Sequence, residues 1–114
     1  MTEHSFIKSI NDKLRHLMFV WKIDAASANG TPDCWYSGDK ADLWIEYKYG
    51  LSHPLSALQR IWLTRRHGEG RHCWVVTGVD DKVSVVTSPP YDQLAEFIDK
   101  KQLIDLIRRH CLTE

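Results

Sequence analysis

Glu46 comes thirteen residues after Asp33, and the stretch between them has the make-up of one β-hairpin. Residues 33–37 form a strand-like run, Gly38-Asp39-Lys40 supplies a tight turn, and residues 41–48 form a second strand through Leu43-Trp44-Ile45-Glu46-Tyr47-Lys48. No other segment leaves so few choices. Alternate residues of a strand share a face, so Trp44, Glu46 and Lys48 point one way while Ile45 and Tyr47 point the other. With the turn centred on Asp39-Lys40, paired residue numbers sum to 79. Ser37 then faces Asp42 and Asp33 faces Glu46, with Cβ atoms about 4.5–5.5 Å apart.

Two carboxylates held that close repel by about 4 kcal/mol, taking 4 Å and an effective dielectric near 20. Lys48 on the same face relieves part of this. A hard divalent cation suits the pair better, and magnesium is commonly anchored by one or two carboxylates with waters completing its shell. The plainer alternative is a surface hairpin with a Glu46–Lys48 pair and Asp33 as a turn cap. Pro32-Asp33 following Gly30-Thr31 and joined to Glu46-Tyr47-Lys48 favours the metal site. Glu3 lies one turn before Phe6 and Ile7 on an inward helical stripe, which makes it a candidate third acid. An acid in a first helical turn is also favoured by the helix dipole alone. Ser56-Ala57-Leu58-Gln59 fits a capping box. Its helix N-terminus directly follows the hairpin, where it would also suit phosphate, so Gln59 is a candidate for both roles.

The remaining chain reads as a mixed α/β domain. Phe6, Ile7, Ile10, Leu14 and Leu17 mark a helix from Glu3 to Leu17. Met18 to Ile23 reads as a strand and Ala25 to Thr31 as a loop. A second helix runs from Ser56 to about His67, stopped by Gly68 and Gly70. Cys73 to Thr77 and Lys82 to Val86 are strands around a turn at Asp80-Asp81. After Pro89-Pro90, two short helices are expected over 91–98 and 101–110. The 114 residues suffice for one core and one domain, 1–114, with a central mixed sheet flanked by helices.

Fifteen basic against fifteen acidic side chains give no overall signature of a nucleic-acid partner. Their distribution is more telling. From His53 to His72, Arg60, Arg65, Arg66 and Arg71 face the single acid Glu69, a local excess suited either to a phosphate backbone or to an ordinary solvated helix face. Cys34, Cys73 and Cys111 are isolated and odd in number, which fits buried thiols rather than a disulfide framework or a zinc site. The longest apolar runs are far short of a membrane span, and the polar start does not resemble a signal peptide, so the cytosol is the expected compartment.

Gly30-Thr31-Pro32-Asp33, Trp44-Ile45-Glu46-Tyr47-Lys48 and the helix from Leu55 through Gln59 to Leu63 resemble the PD-(D/E)XK nucleases. The nearest likeness is to the small VRR-NUC type, related to archaeal-style Holliday junction resolvases. The resemblance spans Glu3 to about Gly70 and implies a restriction-endonuclease-like fold and cleavage of DNA with Mg²⁺ or Mn²⁺. It assigns Asp33, Glu46 and the backbone carbonyl of Tyr47 to the metal, and matches Glu3 to the family's helix acid. Lys48 would position the attacking water, and Gln59 matches a glutamine that often follows Glu-x-Lys. A domain this small has no sequence-reading module, so branched, flap or four-way junction DNA is the expected substrate. A homodimer would cut symmetric strands, with Trp74, Val75, Val76 and the last helix as candidate interface, although the two valines suit the core better. The alternatives are a general nicking endonuclease or exonuclease, and a non-catalytic DNA-binding or partner-recruiting subunit of a larger complex.

Overall fold

The computed structural model describes residues 1–24 and 29–114. The loop expected over Ala25 to Thr31 falls largely on 25–28, outside the described residues. Three helices and six strands run in the order α1 (Glu3–Leu14), β1 (Phe19–Lys22), β2 (Cys34–Ser37), β3 (Asp42–Tyr49), α2 (Ala57–Gly68), β4 (Cys73–Val79), β5 (Lys82–Val86), β6 (Phe97–Asp99) and α3 (Lys100–Cys111). The strands lie in one sheet in chain order. Only β3 and β4 are parallel; every other neighbouring pair is antiparallel. A parallel pair needs a crossover, and α2 provides it.

The β2–β3 hairpin has the expected register. Cys34 pairs with Ile45, Trp35 with Trp44, Tyr36 with Leu43 and Ser37 with Asp42, so each sum is 79. Alternation then splits the sheet into two packed faces. On one, Leu43, Ile45 and Tyr47 join Phe6, Ile7, Ile10 and Leu14 of α1 and Leu103, Ile107 and Cys111 of α3. On the other, Cys73 and Val75 pack with Leu63 of α2 and with Tyr91, flanked by half-buried Trp44 and Trp62.

Three expectations are corrected. α1 ends at Leu14 rather than Leu17: the N–H groups of Leu17 and Met18 both donate to the Leu14 carbonyl, closing a turn that leads into β1 and leaves Leu17 exposed. No helix forms over 91–98. Tyr91 is buried, and its hydroxyl donates to the Cys73 carbonyl at 2.8 Å. The Ala95 N–H donates to Ser84 Oγ at 2.8 Å, and Phe97–Asp99 pair with Lys82–Ser84 as β6. Bonds to distant β5 outweigh the local helical pattern. Finally, Trp74, Val75 and Val76 are 8%, 4% and 0% exposed, so they cannot form an interface surface. β4 is an interior strand, covered on both faces.

All three cysteines are free and buried, Cys34 and Cys73 at the starts of β2 and β4. No helix is long and apolar enough to cross a membrane among the described residues.

Candidate functional site

β3 sets Glu46 and Lys48 on the α2 side of the sheet, and the first turn of α2 closes over them. Ser56 caps that helix: its Oγ accepts from the Gln59 N–H at 3.1 Å, and Gln59 Oε1 accepts from the Ser56 N–H at 2.9 Å. The box does not exhaust Gln59. The same Oε1 accepts from Lys48 Nζ at 3.1 Å, and Nε2 donates to Glu46 Oε2 at 3.1 Å. One amide therefore ties the helix cap to both charged residues of the strand. Lys48 Nζ lies 3.5 Å from Glu46 Oε2.

Asp33 stands one residue before β2, at the position that the sum of 79 assigns to Glu46. Its Oδ2 accepts from the Tyr47 N–H at 2.8 Å, which draws the carboxylate onto β3 beside Glu46. The approach to Asp33 depends on Gly30. With φ at +75°, a side chain there is strained, and its Cβ would lie 2.3 Å from the Leu58 carbonyl oxygen. The Gly30-to-Asp33 segment thus starts hard against the turn of α2 that carries Gln59.

Burial is the first cause of the altered acidity of Glu46, which is 3% exposed. Together with the charge of Asp33 it raises the carboxyl to about 8, with Lys48 opposing the rise. Lys48, with its Nζ 3.5 Å from Glu46 Oε2, offsets only part of this rise. Glu3 occupies the exposed start of α1 and belongs to the same field. Its carboxyl is raised by partial burial and then by Asp33, against Lys48, His53 and Lys22.

Hard oxygen donors suit the space between the two acids. The Tyr47 N–H engages Asp33 Oδ2 and the Gln59 amide engages Glu46 Oε2, and the two carboxyls also meet each other. No group of three or more His, Cys, Asp and Glu side chains is gathered for metal binding among the described residues. Glu3 therefore does not close a three-acid cage with Asp33 and Glu46. A two-carboxylate anchor fits magnesium, which keeps several waters.

The four arginines divide. Arg60 reaches the Pro90 carbonyl at 3.2 Å and lies 3.6 Å from Asp92, along a cleft of about 330 Å³ that Lys48 and His53 also line. Arg66 and Arg71 both turn to Glu69 at the far end of α2, at 2.7 and 3.5 Å, and Arg65 is exposed there. His53 escaped the sequence reading. Asn11 did too: it is buried on the α1 stripe, and its Oδ1 accepts from the Tyr36 hydroxyl at 2.6 Å. Tyr36 and Tyr47 share a 2.6 Å bond between hydroxyls, so the residue between Glu46 and Lys48 is anchored beneath the sheet. A polar residue spaced with Ile7 and Leu14 was the available signal.

No protein-family model matches the sequence, and no curated protein matches it. Ten solved chains match the fold. Taken as a fold, the six-stranded mixed sheet flanked by three helices is of the resolvase and restriction-endonuclease-like kind. The chain is similar to Archaeoglobus fulgidus Hjc, a Holliday junction resolvase from an archaeal hyperthermophile. The TM-score is 0.59 at 18% identity, over 91% of this chain and 88% of that one.

Proposed function

We propose that this chain is a metal-dependent DNA endonuclease of the PD-(D/E)XK superfamily, VRR-NUC type, acting on branched, flap or four-way junction DNA. The observation that carries the reading is the joining of Asp33, Glu46, Lys48 and Gln59 at one sheet–helix junction. The similarity in fold to a resolvase supports it.

Asp33 and Glu46 would hold Mg²⁺, or Mn²⁺ in its place, with the Tyr47 carbonyl as a further oxygen and Glu3 as an additional acid. A divalent cation bound there would supply a water of lowered pKa and neutralise charge on the phosphoryl oxygens. Because burial and Asp33 raise the Glu46 carboxyl to about 8, a cation held there would displace its proton, and binding would strengthen as pH rises towards 8. Lys48, steadied by Gln59 Oε1, orients the attacking water and places positive charge where negative charge develops. Gln59 acts as a positioning residue for both Glu46 and Lys48. Arg60, Arg65, Arg66 and Arg71 contact the phosphate backbone, and two protomers pair to cut opposed strands.

Linear duplex, flap and four-way junction DNA incubated with magnesium test the reaction and the substrate together. Cleavage of the branched forms, abolished by EDTA and by Asp33→Ala, is expected. Cleavage that survives EDTA or Lys48→Ala would sink the assignment.

A further inference from the structure

The sheet face that carries Asp33 and Glu46 also carries a line of aromatic rings, and among the described residues no helix covers its outer half. The register sets Trp21 opposite Trp35 and Trp35 opposite Trp44, so three tryptophans form one row across β1, β2 and β3. Two residues along from Trp35 and Trp44 on this face stand Asp33, just before β2, and Glu46 on β3. The tryptophan row is therefore about 6.6 Å from the acids, two residues of strand rise. Ring centroids are 6.4 Å apart from Trp21 to Trp35, 5.9 Å from Trp35 to Trp44 and 5.2 Å from Trp44 to Trp62. Phe19 adds a ring 5.7 Å from Trp35, and the Arg66 guanidinium lies 5.5 Å above Trp62.

At the edge strand the rings are open to solvent, Phe19 by 60% and Trp21 by 49%. Phe19 and Trp21 each meet Trp35 edge to face, at 64° and 89°, an arrangement that leaves ring faces uncovered by their partners. The inner end of the row opens into a depression lined by Lys40, Trp44, Arg71 and His72. Lys40 and Arg71 line that depression with Asp42, Lys40 Nζ donating to the Arg109 carbonyl at 2.9 Å, and Arg66 lies over Trp62 beside it. Asp42 is engaged by Ser37, and Glu69 by Arg66 and Arg71. Flat π-faces, the adjoining cations Lys40, Arg66 and Arg71 and a neighbouring pair of acids complement a chain of unpaired nucleotides, whose bases stack and whose phosphates are negative.

We infer that the Trp21–Trp35–Trp44 row, extended by Phe19 and Trp62, is a stacking platform for unpaired bases of the DNA strand to be cut. The platform holds a splayed single strand so that the next phosphodiester lies over Asp33 and Glu46. This inference rests on the nuclease reading and names the feature of branched DNA that the site engages.

The test separates binding from cleavage. In EDTA, a fluorescein-labelled single-stranded oligonucleotide is titrated against the full chain while tryptophan fluorescence is followed, with a blunt duplex of the same length beside it. Quenching by the single strand is expected, with Trp21→Ala and Phe19→Ala each weakening its affinity roughly tenfold and Trp21→Phe restoring most of it. Circular dichroism identifies a variant that fails to fold, and the other variant then decides. Quenching and affinity that survive both alanine variants overturn the platform. So does sedimentation showing that these variants only split a dimer, because the face is then an interface between copies. Cleavage with magnesium is read separately: its absence with quenching intact sinks the nuclease reading, and its presence without quenching sinks the platform alone.

Discussion

Beneath the sheet, on the α1 and α3 side, Tyr36 and Tyr47 have no exposure, and their hydroxyls form a closed chain to Asn11. Above it, on the α2 side, Glu46 is almost as deeply buried, yet its carboxyl is crowded by Asp33 and met by Lys48 only at 3.5 Å. Both are buried polar clusters, and their chemistry differs. The lower one is neutral and satisfied, so it rigidifies β2 and β3 without a further partner. The upper one gathers two acids at close quarters in a buried place, an arrangement that favours a bound cation. Changes above the sheet should therefore alter activity more than stability, and changes below it the reverse.

The largest expected effect is on activity. Lys48→Ala should lower single-turnover cleavage by about 10²–10³-fold, the usual consequence of removing one preorganised charge-stabilising donor. The melting temperature in EDTA should change little, because a half-buried lysine bonded to one amide supports little packing. A variant that unfolds while its residual folded fraction cuts normally would erase the contrast between the faces.

Glu46→Gln should do something unusual for a loss of function: stabilise the metal-free protein at alkaline pH. In the folded chain this carboxyl titrates at about 8, against an ordinary value of 4.5. Below pH 4.5 both states carry the proton and nothing changes with pH. Between 4.5 and 8 only the unfolded chain releases it, so stability falls as pH rises, and above 8 the loss is complete. The loss is on the order of a few kcal/mol. Glutamine keeps the bond from Gln59 and cannot ionise. Melting curves in EDTA at pH 5 and pH 8.5 should therefore show the variant gaining on the wild type. An equal difference at both pH values would show that Glu46 is not held protonated.

Below the sheet the expectation reverses. Tyr36→Phe removes the hydroxyl between Asn11 and Tyr47 and strands two buried polar groups, a loss of roughly 1–3 kcal/mol in unfolding free energy. Denaturant unfolding measures it. Cleavage per folded molecule should stay within a few-fold, since Asp33 still binds the Tyr47 N–H rather than its hydroxyl.

The two faces also differ in how far the sequence discloses them. The facing of Asp33 and Glu46 was legible because a two-residue period and a short polar turn permit one register. The same arithmetic would have disclosed the row from Trp35 to Trp44. The capping box at Ser56 and Gln59 was legible because it is local, whereas the reach of Gln59 to Lys48 and Glu46 depends on how α2 docks. β6 was hidden for a related reason. Its three residues lack any alternation of their own and become a strand only by bonding β5. Asn11 was overlooked because one polar residue in an apolar stripe resembles noise until Tyr36 is seen above it.

The smallest effect divides two functions within one helix cap. Ser56→Ala removes the oxygen that accepts the Gln59 N–H but leaves the Gln59 side chain in place, since Oε1 still accepts from the Ser56 N–H and from Lys48. The expected loss is about 1 kcal/mol of stability, ordinary for a helix cap, with cleavage nearly unchanged. Gln59→Ala removes the other half of the box and with it both ties to the strand. Its stability loss should be similar, but it should also weaken cleavage and the metal concentration needed for half-maximal rate should rise. Measuring both variants at one temperature well below their melting points isolates the difference. If they lower cleavage alike, Gln59 acts only through the helix, and the upper face is organised by Lys48 and the two acids without it.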